Sequence, residues 1–421
     1  MSDTFQFIER ARLLLEQGRV NDAVKQLKNA LQQDPDNDMA LALYARCQYD
    51  QKNFDGGIET LYKAIYIDPE NSYYYYLLAF GYYRKDLNTQ ALEKLNQSIQ
   101  LNPYFAESFG LMAYVYCDEK NFKQALEKAN EGLAADPENI TCLNVRSIAL
   151  NKMKQTDAAA ETMEHALAQD PENELTHSTI GWNYLEKGNN KVAATHFREA
   201  LRINPNMHNA KEGLKEALKS KIPPYKWLLQ YSFWINNQGK KTRWIIPLAL
   251  YFVVRILATA FNQNKSTESV AGIIVGLYLL FVLTSWLINP VANFMLLFHK
   301  DGKYALNISE KNSAITVVGT LLAGIICLLI SYVLPSGSDV LSTAFLVAGI
   351  AFLVMAMPLG RIQYPLSFNG YGVQNKLALG LTGLGILTIL FAFIYLPLAI
   401  ITGISFLVIF VVNSWVGIFR K

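Results

Sequence analysis

Apolar and polar positions in the first half of the chain follow a helical period that breaks at regular intervals. Apolar residues recur three or four positions apart, which is typical of amphipathic helices packed on a core. A proline preceded by Asp or Asn recurs every 34 residues without slippage, at Asp34-Pro35, Asp68-Pro69, Asn102-Pro103, Asp136-Pro137, Asp170-Pro171 and Asn204-Pro205. Because proline lacks an N–H and disfavours helical geometry in its predecessor, each pair predicts the end of a helix.

Each unit also contains a break near its middle, so it predicts two antiparallel helices. Small residues stand where two such helices approach closely. On the first helices these are Ala11, Ala45, Ala79, Ala113, Ser147 and Gly181. On the second helices they are Ala23, Gly57, Ala91, Ala125, Ala159 and Ala193, followed by Ala30, Ala64, Ser98, Gly132, Ala166 and Ala200.

This pattern resembles the tetratricopeptide repeat (TPR) family over residues 4–205. The last unit supplies the family's positions as Gly181, Tyr184, Ala193, Phe197, Ala200 and Pro205, and the third as Leu78, Ala79, Tyr82, Ala91, Leu95 and Pro103. The resemblance implies a superhelix of six helix-turn-helix repeats, closed by a solvating end helix at His208–Lys219. We assign residues 1–220 to this TPR solenoid.

In TPR proteins the first helices line a concave groove that receives peptide segments, so the resemblance implies a protein or peptide partner. The groove residues that it implies are Arg12, Arg46, Tyr49, Tyr73, Tyr76, Phe80, Tyr83, Tyr114, Asn144 and Trp182. Aromatic rings suit this role because they give a large contact area at low entropic cost. The alternative is that the tyrosines fill the packing between repeats, although the four rings of the run Tyr73–Tyr76 cannot all point into the core.

Residues 221–243 form a basic, aromatic connector. Trp227, Tyr231 and Trp234 share one helical face, and Lys240, Lys241 and Arg243 follow. Aromatic and basic residues together suit the headgroup zone of a bilayer, so we expect an interfacial helix that contacts membrane lipids. The alternative is a helix packed against the last repeat.

Residues 244–421 are strongly apolar and predict a transmembrane domain. Six runs have about the length needed to cross a bilayer: 244–261, 269–288, 313–334, 340–359, 377–395 and 397–419. The predicted fold class is therefore all-α, a TPR superhelix followed by a six-helix transmembrane bundle. Lys and Arg are concentrated before the first run, after the second and fourth, and at the C-terminus, which places both termini and the TPR domain in the cytoplasm. The expected localisation is the cell or inner membrane, with several crossings.

The net charge of +3 conceals three regions of different charge. Residues 1–205 hold 21 basic and 29 acidic residues, a net of −8. Residues 206–243 hold eight basic and two acidic residues, and residues 244–421 hold nine and four. An acidic repeat array disfavours nucleic acid as a partner, because it would repel phosphates.

No catalytic constellation is evident in the sequence. The five histidines form no metal-binding pair, and the apolar runs contain no Asp or Glu. We therefore expect no enzyme activity, cofactor or metal. Arg255 is the strong charge inside a run, and it either snorkels to the outer surface or has a function within the membrane. Glycine patterns at Gly272-xxx-Gly276 and Gly380–Gly385 indicate close helix packing and leave a homo-oligomer open.

The sequence is compatible with two functions. The first is a membrane-anchored scaffold or adaptor that binds protein segments in the groove of a cytoplasmic superhelix and recruits them to a six-span base. The alternative is a TPR-regulated transporter, channel or lipid-handling membrane protein.

Overall fold

The computed structural model describes residues 3–238, 240–262, 268–334, 339–362 and 373–419, and every regular element within them is an α-helix. The repeat region contains α1 (Asp3–Glu16), α2 (Val20–Gln33), α3 (Asp38–Asp50), α4 (Phe54–Ile67), α5 (Ser72–Arg84), α6 (Asn88–Leu101), α7 (Ala106–Asp118), α8 (Phe122–Ala135), α9 (Ile140–Lys152), α10 (Thr156–Gln169), α11 (Glu174–Glu186), α12 (Asn190–Ile203) and α13 (His208–Lys219). The chain continues with α14 (Pro223–Asn236), α15 (Lys240–Asn262), α16 (Glu268–Leu296), α17 (Gly302–Ala305), α18 (Ile308–Val333), α19 (Asp339–Leu359), α20 (Val373–Ile394) and α21 (Leu396–Phe419).

The chain divides into two compact units. The first comprises Met1–Asn183 with Glu199–Asn206, and the second comprises Tyr184–Arg198 with Met207–Lys421. The first unit is a run of helix pairs in which each first helix also contacts the first helix of the next repeat, from α1 through α3, α5 and α7 to α9. The first helices therefore form one continuous layer.

The paired helices begin and end where the 34-residue pattern predicts. Each second helix stops at the residue before an Asp or Asn that precedes proline. The small residues named above are all buried, which confirms that they lie at close helix contacts. Every turn within a pair contains one residue in the left-handed region, with φ between 60° and 79°, at Gly18, Lys52, Asp86, Lys120, Lys154 and Gly188.

The second unit holds the apolar helices. Four of them are long and apolar enough to cross a membrane: Ser269–Leu296, Ile308–Val333, Asp339–Leu359 and Asn375–Ile394. The first and last of the six predicted runs lie in α15 and α21, where the apolar stretches among the described residues are shorter, Ala249–Phe261 and Leu396–Phe410. The second predicted run ends at residue 288, but α16 continues through Pro290 to Leu296.

Glycines on the apolar helices of this unit fall into two groups. Gly324 and Gly349 let α18 and α19 approach closely, since a Cβ at Gly324 would lie 3.0 Å from the Gly349 carbonyl oxygen. A Cβ at Gly385 would meet the sulfur of Met355 at 2.8 Å. In contrast, a Cβ at Gly272, Gly276, Gly380 or Gly383 would meet nothing within 4 Å, so contacts among the described residues do not explain these glycines.

The end helix α13 is not the solvating helix that the sequence predicts. Lys215 and Lys219 are 1% and 4% exposed, and Leu214, Ala217 and Leu218 beside them are also buried. Helix α13 contacts α16 and α17 instead of facing water on one side.

Candidate functional site

An aromatic cluster lies on the first-helix layer, at α5 and the start of α7. It consists of Tyr73, Tyr76 and Phe105, all half-buried. The rings of Tyr73 and Tyr76 stack with centroids 6.1 Å apart, and Phe105 meets them edge-on at 6.2 Å and 5.3 Å. These are favourable aromatic geometries, and they leave part of each ring at the surface.

The helical period explains why this tyrosine run is divided between core and surface. Tyr73 and Tyr76 are three positions apart and share a face. Tyr74 points the other way and is 2% exposed, and its hydroxyl donates to Asp38 Oδ2 at 2.6 Å. Tyr75 donates to the Pro69 carbonyl oxygen at 3.1 Å. One ring of the four therefore belongs to the core.

Charged groups border the aromatic cluster. Burial raises the pKa of Tyr76 to about 12, with Tyr73 and Glu107 adding to the rise and Arg46 opposing it. Arg46 is exposed, whereas Glu107 is half-buried. The cluster is thus an apolar surface with a guanidinium and a carboxylate nearby, which suits a peptide that has both apolar and polar side chains.

Two more of the predicted groove tyrosines lie further along the same layer. Tyr83 is half-buried and donates to Asp118 Oδ2 at 2.7 Å. Burial, followed by the Asp118 carboxylate, raises the pKa of Tyr83, and burial also raises the pKa of Tyr114. Both phenols therefore remain neutral hydrogen-bonding groups at physiological pH.

Two predicted groove residues lie in the core instead. Tyr49 is 5% exposed, and its ring fills the space left by the absent side chains of Gly57 and Gly81. Asn144 is fully buried, and its Nδ2 donates to the Ile140 carbonyl oxygen and to Thr176 Oγ1. Neither side chain is available to a ligand, so these two assignments are corrected.

The remaining groove predictions are spread more widely. Arg12 is exposed and pairs with Glu9 and Glu16 on its own helix. Phe80 is half-buried with the Arg84 guanidinium over its ring, and Trp182 is half-buried on α11. The aromatic cluster does not include any of these three.

Phe105 is the cluster residue that the sequence analysis missed. It is the N-cap of α7 and makes no side-chain capping hydrogen bond. At the same position of four other repeats an asparagine accepts from a backbone N–H of the following helix: Asn37, Asn71, Asn139 and Asn173. Replacement of a capping residue costs about 1 kcal/mol, so the break in this pattern was a signal available in the sequence.

The connector helix α14 has an exposed aromatic edge. Trp227 and Trp234 are 75% and 50% exposed, and they lie seven residues apart on one face. Tyr231 is half-buried and meets Phe281 of α16 edge-on at 5.9 Å, while Gln230 Nε2 donates to the Leu185 carbonyl oxygen at 3.1 Å. One face of α14 thus packs on neighbours and the other presents tryptophans, and contact of those tryptophans with lipid stays a prediction. The side chains of Lys240, Lys241 and Arg243 lie outside the described residues.

A polar junction within the second unit joins α13 to the apolar helices. Lys215 Nζ lies 2.6 Å from both Glu212 and Glu310, and Lys219 Nζ lies 3.2 Å from Glu216 and from Asn289 Oδ1. Burial alone would lower the pKa of Lys215, but its hydrogen bonds to the two carboxylates outweigh burial and raise it.

Two further contacts reinforce the polar junction. The Tyr225 hydroxyl donates to Glu216 and also lies 3.0 Å from Asn289 Oδ1. Arg198 pairs with Asp301 at 2.9 Å. The buried cations are therefore fully partnered, which is the condition for tolerating buried charge.

Arg255 lies exposed on α15. Its Nη1 donates to the Tyr251 hydroxyl at 3.1 Å. Within the part of the chain that the structure describes, no three His, Cys, Asp or Glu side chains are grouped so that they could hold a metal ion.

Comparison with known proteins identifies repeats in two segments. Tetratricopeptide repeat family models match residues 14–79 and residues 176–207, so these segments are tetratricopeptide repeats. The matches agree with the helix pairs seen there and confirm the family resemblance for those segments. No curated protein is similar enough to this chain to count as a match.

Solved structures of several repeat proteins are similar to part of this chain. The PilF protein of Pseudomonas aeruginosa is 18% identical, with a TM-score of 0.40, over 50% of this chain and 96% of that one. A tetratricopeptide repeat protein from Parabacteroides merdae is 14% identical, with a TM-score of 0.42, over 58% and 96%. YrrB, described as a TPR protein with an unusual peptide-binding site, is 16% identical, with a TM-score of 0.31, over 45% and 97%.

Proposed function

We propose that the protein is a membrane-anchored scaffold that binds a segment of another protein on its first-helix layer and holds it at a six-span membrane base. The observation that carries the proposal is the aromatic cluster, in which Phe105 replaces a capping asparagine. At this position the chain lacks the helix cap of four other repeats and instead has a third ring beside Tyr73 and Tyr76. It therefore departs from its own repeat pattern here. Such departures are expected at functional sites.

The chemistry of the cluster fits a peptide with at least one large apolar side chain. Half-buried rings give contact area without needing to be ordered on binding, because their positions are already fixed by packing. Arg46 and Glu107 on its border would pair with a polar side chain or the peptide backbone. The acidic charge of residues 1–205 favours a partner segment that is neutral or basic.

The polar junction supports six crossings. Lys215 and Arg198 bond to Glu310 and Asp301, which lie in or beside the connection between α16 and α18. That connection is therefore on the side of the bilayer that α13 occupies. If α16 crosses, it begins on the far side, so α15 must already have crossed. With α18, α19 and α20 crossing in turn, α21 returns the chain to the side of the repeats.

The connector supports placement at a membrane surface. Exposed tryptophans on one edge of α14 suit the interfacial zone, and the Lys and Arg that follow favour the anionic cytoplasmic leaflet. We therefore place the repeats, α14 and both termini in the cytoplasm. Lipids would contact Trp227 and Trp234.

Crosslinking in native membranes tests the binding face. A photoreactive residue at Tyr76 is expected to capture a protein partner, whereas one at Tyr66, which is 91% exposed on second helix α4, is the matched control and should not. The full chain is needed, because ending it at residue 220 would leave Lys215 and Lys219 without Glu310 and Asn289.

Phe105→Asn then separates binding from folding. The asparagine restores the cap found in neighbouring repeats, so the free energy of unfolding should change by less than about 1 kcal/mol. Affinity for the captured partner should fall by about tenfold or more, as for loss of an aromatic hot spot. If Phe105→Asn and Tyr76→Ala both leave every captured partner bound, the cluster is only packing between repeats.

A further inference from the structure

Helix α15 carries a polar stripe on an otherwise apolar surface. Tyr251, Arg255 and Thr259 are spaced four residues apart and so lie on one face. Arg255 Nη1 donates to the Tyr251 hydroxyl at 3.1 Å, and Thr259 Oγ1 donates to the Arg255 carbonyl oxygen at 2.8 Å. Their neighbours Phe252 and Ile256 are 51% and 66% exposed, so this side of the helix is largely uncovered by the residues that the structure describes. The ring of Tyr251 also meets that of Tyr278 on α16, with centroids 6.5 Å apart.

The Arg255 guanidinium points toward the middle of the helix rather than toward its far end. Tyr251 is one turn nearer the N-terminus, which is the direction in which helical side chains lean. Snorkelling to the outer surface would require the opposite direction, toward Asn262, about 10 Å further along the axis. The hydrogen bond to Tyr251 therefore holds the charge near mid-depth of the apolar run 244–261.

This chain cannot neutralise that charge from within the membrane. Arg255 makes no ion pair among the residues that the structure describes. The four acidic residues after position 244 are Glu268, Asp301, Glu310 and Asp339, and all stand outside the six apolar runs. A second copy would bring the same four, so self-association leaves the cation equally unpaired.

An arginine at the centre of a membrane helix costs about 2.5–3.5 kcal/mol in insertion. A carboxylate at the same depth would recover much of that cost, because charge pairing strengthens where water is excluded. Arginine and a carboxylate also pair through two parallel hydrogen bonds, which fixes orientation as well as energy.

We infer that the α15 face formed by Tyr251, Arg255 and Thr259 binds a transmembrane helix of a different protein that carries an Asp or Glu at matching depth. This inference rests on the proposed crossing of the membrane by α15. The carboxylate pairs with Arg255, the Tyr251 hydroxyl donates to its second oxygen, and apolar residues of the partner cover Phe252 and Ile256. The repeats would thus bind a soluble segment while α15 binds within the bilayer.

A defined peptide provides the test. A single-span polyleucine peptide with one central Asp, and a matched peptide with Leu at that position, are mixed with the full chain in phosphatidylcholine vesicles. Association is followed by energy transfer. The Asp peptide is expected to bind about tenfold more tightly than the Leu peptide, the size of one good polar contact between membrane helices.

Variants of the protein assign that preference to the stripe. Arg255→Leu should abolish the difference between the two peptides, and Arg255→Lys should retain part of it. Leu257→Ile, a conservative change at a 40% exposed position on the opposite side of α15, is the matched control and should leave the difference intact.

Three results would overturn the inference. The two peptides bind wild-type protein equally; the preference persists in Arg255→Leu; or phosphatidylglycerol in the vesicles removes it, which would make a lipid phosphate the natural occupant. Labelling of Ser269→Cys from the side opposite to Lys221→Cys establishes separately that α15 crosses. If the labelling shows that α15 crosses but the peptide assay fails, the proposed partner helix is contradicted and the proposed topology is not.

Discussion

Six turn residues spaced 34 positions apart adopt the same left-handed backbone, yet only two of them are glycine. Gly18 and Gly188 adopt positive φ without penalty, whereas Lys52, Asp86, Lys120 and Lys154 place a Cβ next to a carbonyl oxygen. The sequence placed these turns correctly, because the helical period breaks there. It did not reveal their conformation, since four of the six residues are ones that seldom adopt it.

Substitutions in these turns should change stability in opposite directions. Gly18→Ala is expected to lower the free energy of unfolding by about 1 kcal/mol, the usual penalty for a Cβ at positive φ. A Cβ at Gly18 would meet nothing within 4 Å, so the loss would be purely conformational. Lys154→Gly should raise stability by several tenths of a kcal/mol or more. Thermal unfolding of the full chain in detergent measures both.

Asparagine provides the control for this pair. Gly18→Asn should lose less than Gly18→Ala, because asparagine tolerates left-handed geometry better than alanine. Equal losses for Ala and Asn would mean that side-chain contacts, not φ, set the cost.

The candidate binding face was partly predictable at the same scale. The helical period correctly placed Tyr73 and Tyr76 on the first-helix face, but it did not predict how deeply the Tyr49 side chain is buried. That ring is buried because glycines at positions 57 and 81 leave room for it. The sequence pattern does not show which side chain fills the space beside a glycine on a neighbouring helix. Phe105 was missed because it precedes a helix and so falls outside any helical period.

At the scale of elements, boundaries were predictable where the chain marks them chemically. Asn caps and prolines define both ends of most repeat helices, and those ends agree with the sequence. The apolar helices have fewer such marks. Helix α18 does begin at a capping box formed by Asn307 and Glu310, but α16 runs through Pro290 beyond its predicted end. Hydropathy predicts only the part of a helix that lies within the membrane, and the helix itself can extend beyond the bilayer.

The burial of α13 was not predictable, because its partners lie about 70 to 95 residues further along the chain. Its lysines look like a solvated face in the sequence. In the structure Glu310 serves two elements at once: one carboxylate oxygen accepts from the Asn307 N–H at 2.8 Å, and the other accepts from Lys215. The helix cap of α18 and the polar junction are therefore linked through one side chain.

Lys215→Met should destabilise the protein by about 1–3 kcal/mol. Methionine preserves the volume of the buried stem but leaves Glu212 and Glu310 without their shared cation. These carboxylates retain some contact with water, which keeps the loss below that of a fully buried broken pair. Unfolding of the full chain in detergent is the measurement.

Two variants make the Lys215 result specific. Lys211→Met, on the same helix but half-buried and without a described ion pair, should change stability by no more than about 0.5 kcal/mol. Glu310→Gln should fall between the two, since an amide still accepts from the Asn307 N–H. A Lys215→Met protein as stable as Lys211→Met would show that the polar junction adds nothing to stability.

At the scale of the whole molecule, charge was the most reliable guide. The acidic repeats, basic connector and apolar remainder were evident from counting residues along the chain. The number of crossings was not, because in α15 and α21 the apolar stretches among the described residues, Ala249–Phe261 and Leu396–Phe410, are shorter than a bilayer needs. Hydropathy alone is then compatible with four crossings or six, and both place the termini on the same side.

The side chains that join α13 to the α16–α18 connection favour six crossings, and the two arrangements can be told apart by experiment. With six crossings, cysteines at Lys221 and Lys303 face one side of the membrane, and cysteines at Ser269 and Tyr395 face the other. With four crossings and α15 on the surface, Ser269 and Lys221 share a side and Lys303 lies opposite.

Labelling of these cysteines with an impermeant maleimide on oriented vesicles separates the two cases. Native Cys47, Cys117 and Cys142 should not interfere, because burial raises their pKa values to about 11–12 and keeps them protonated. The fourth native cysteine, the half-buried Cys327 on α18, is replaced by serine in every variant. We expect the six-crossing pattern, since only that arrangement lets Lys215 reach Glu310 without bringing a charged loop through the bilayer.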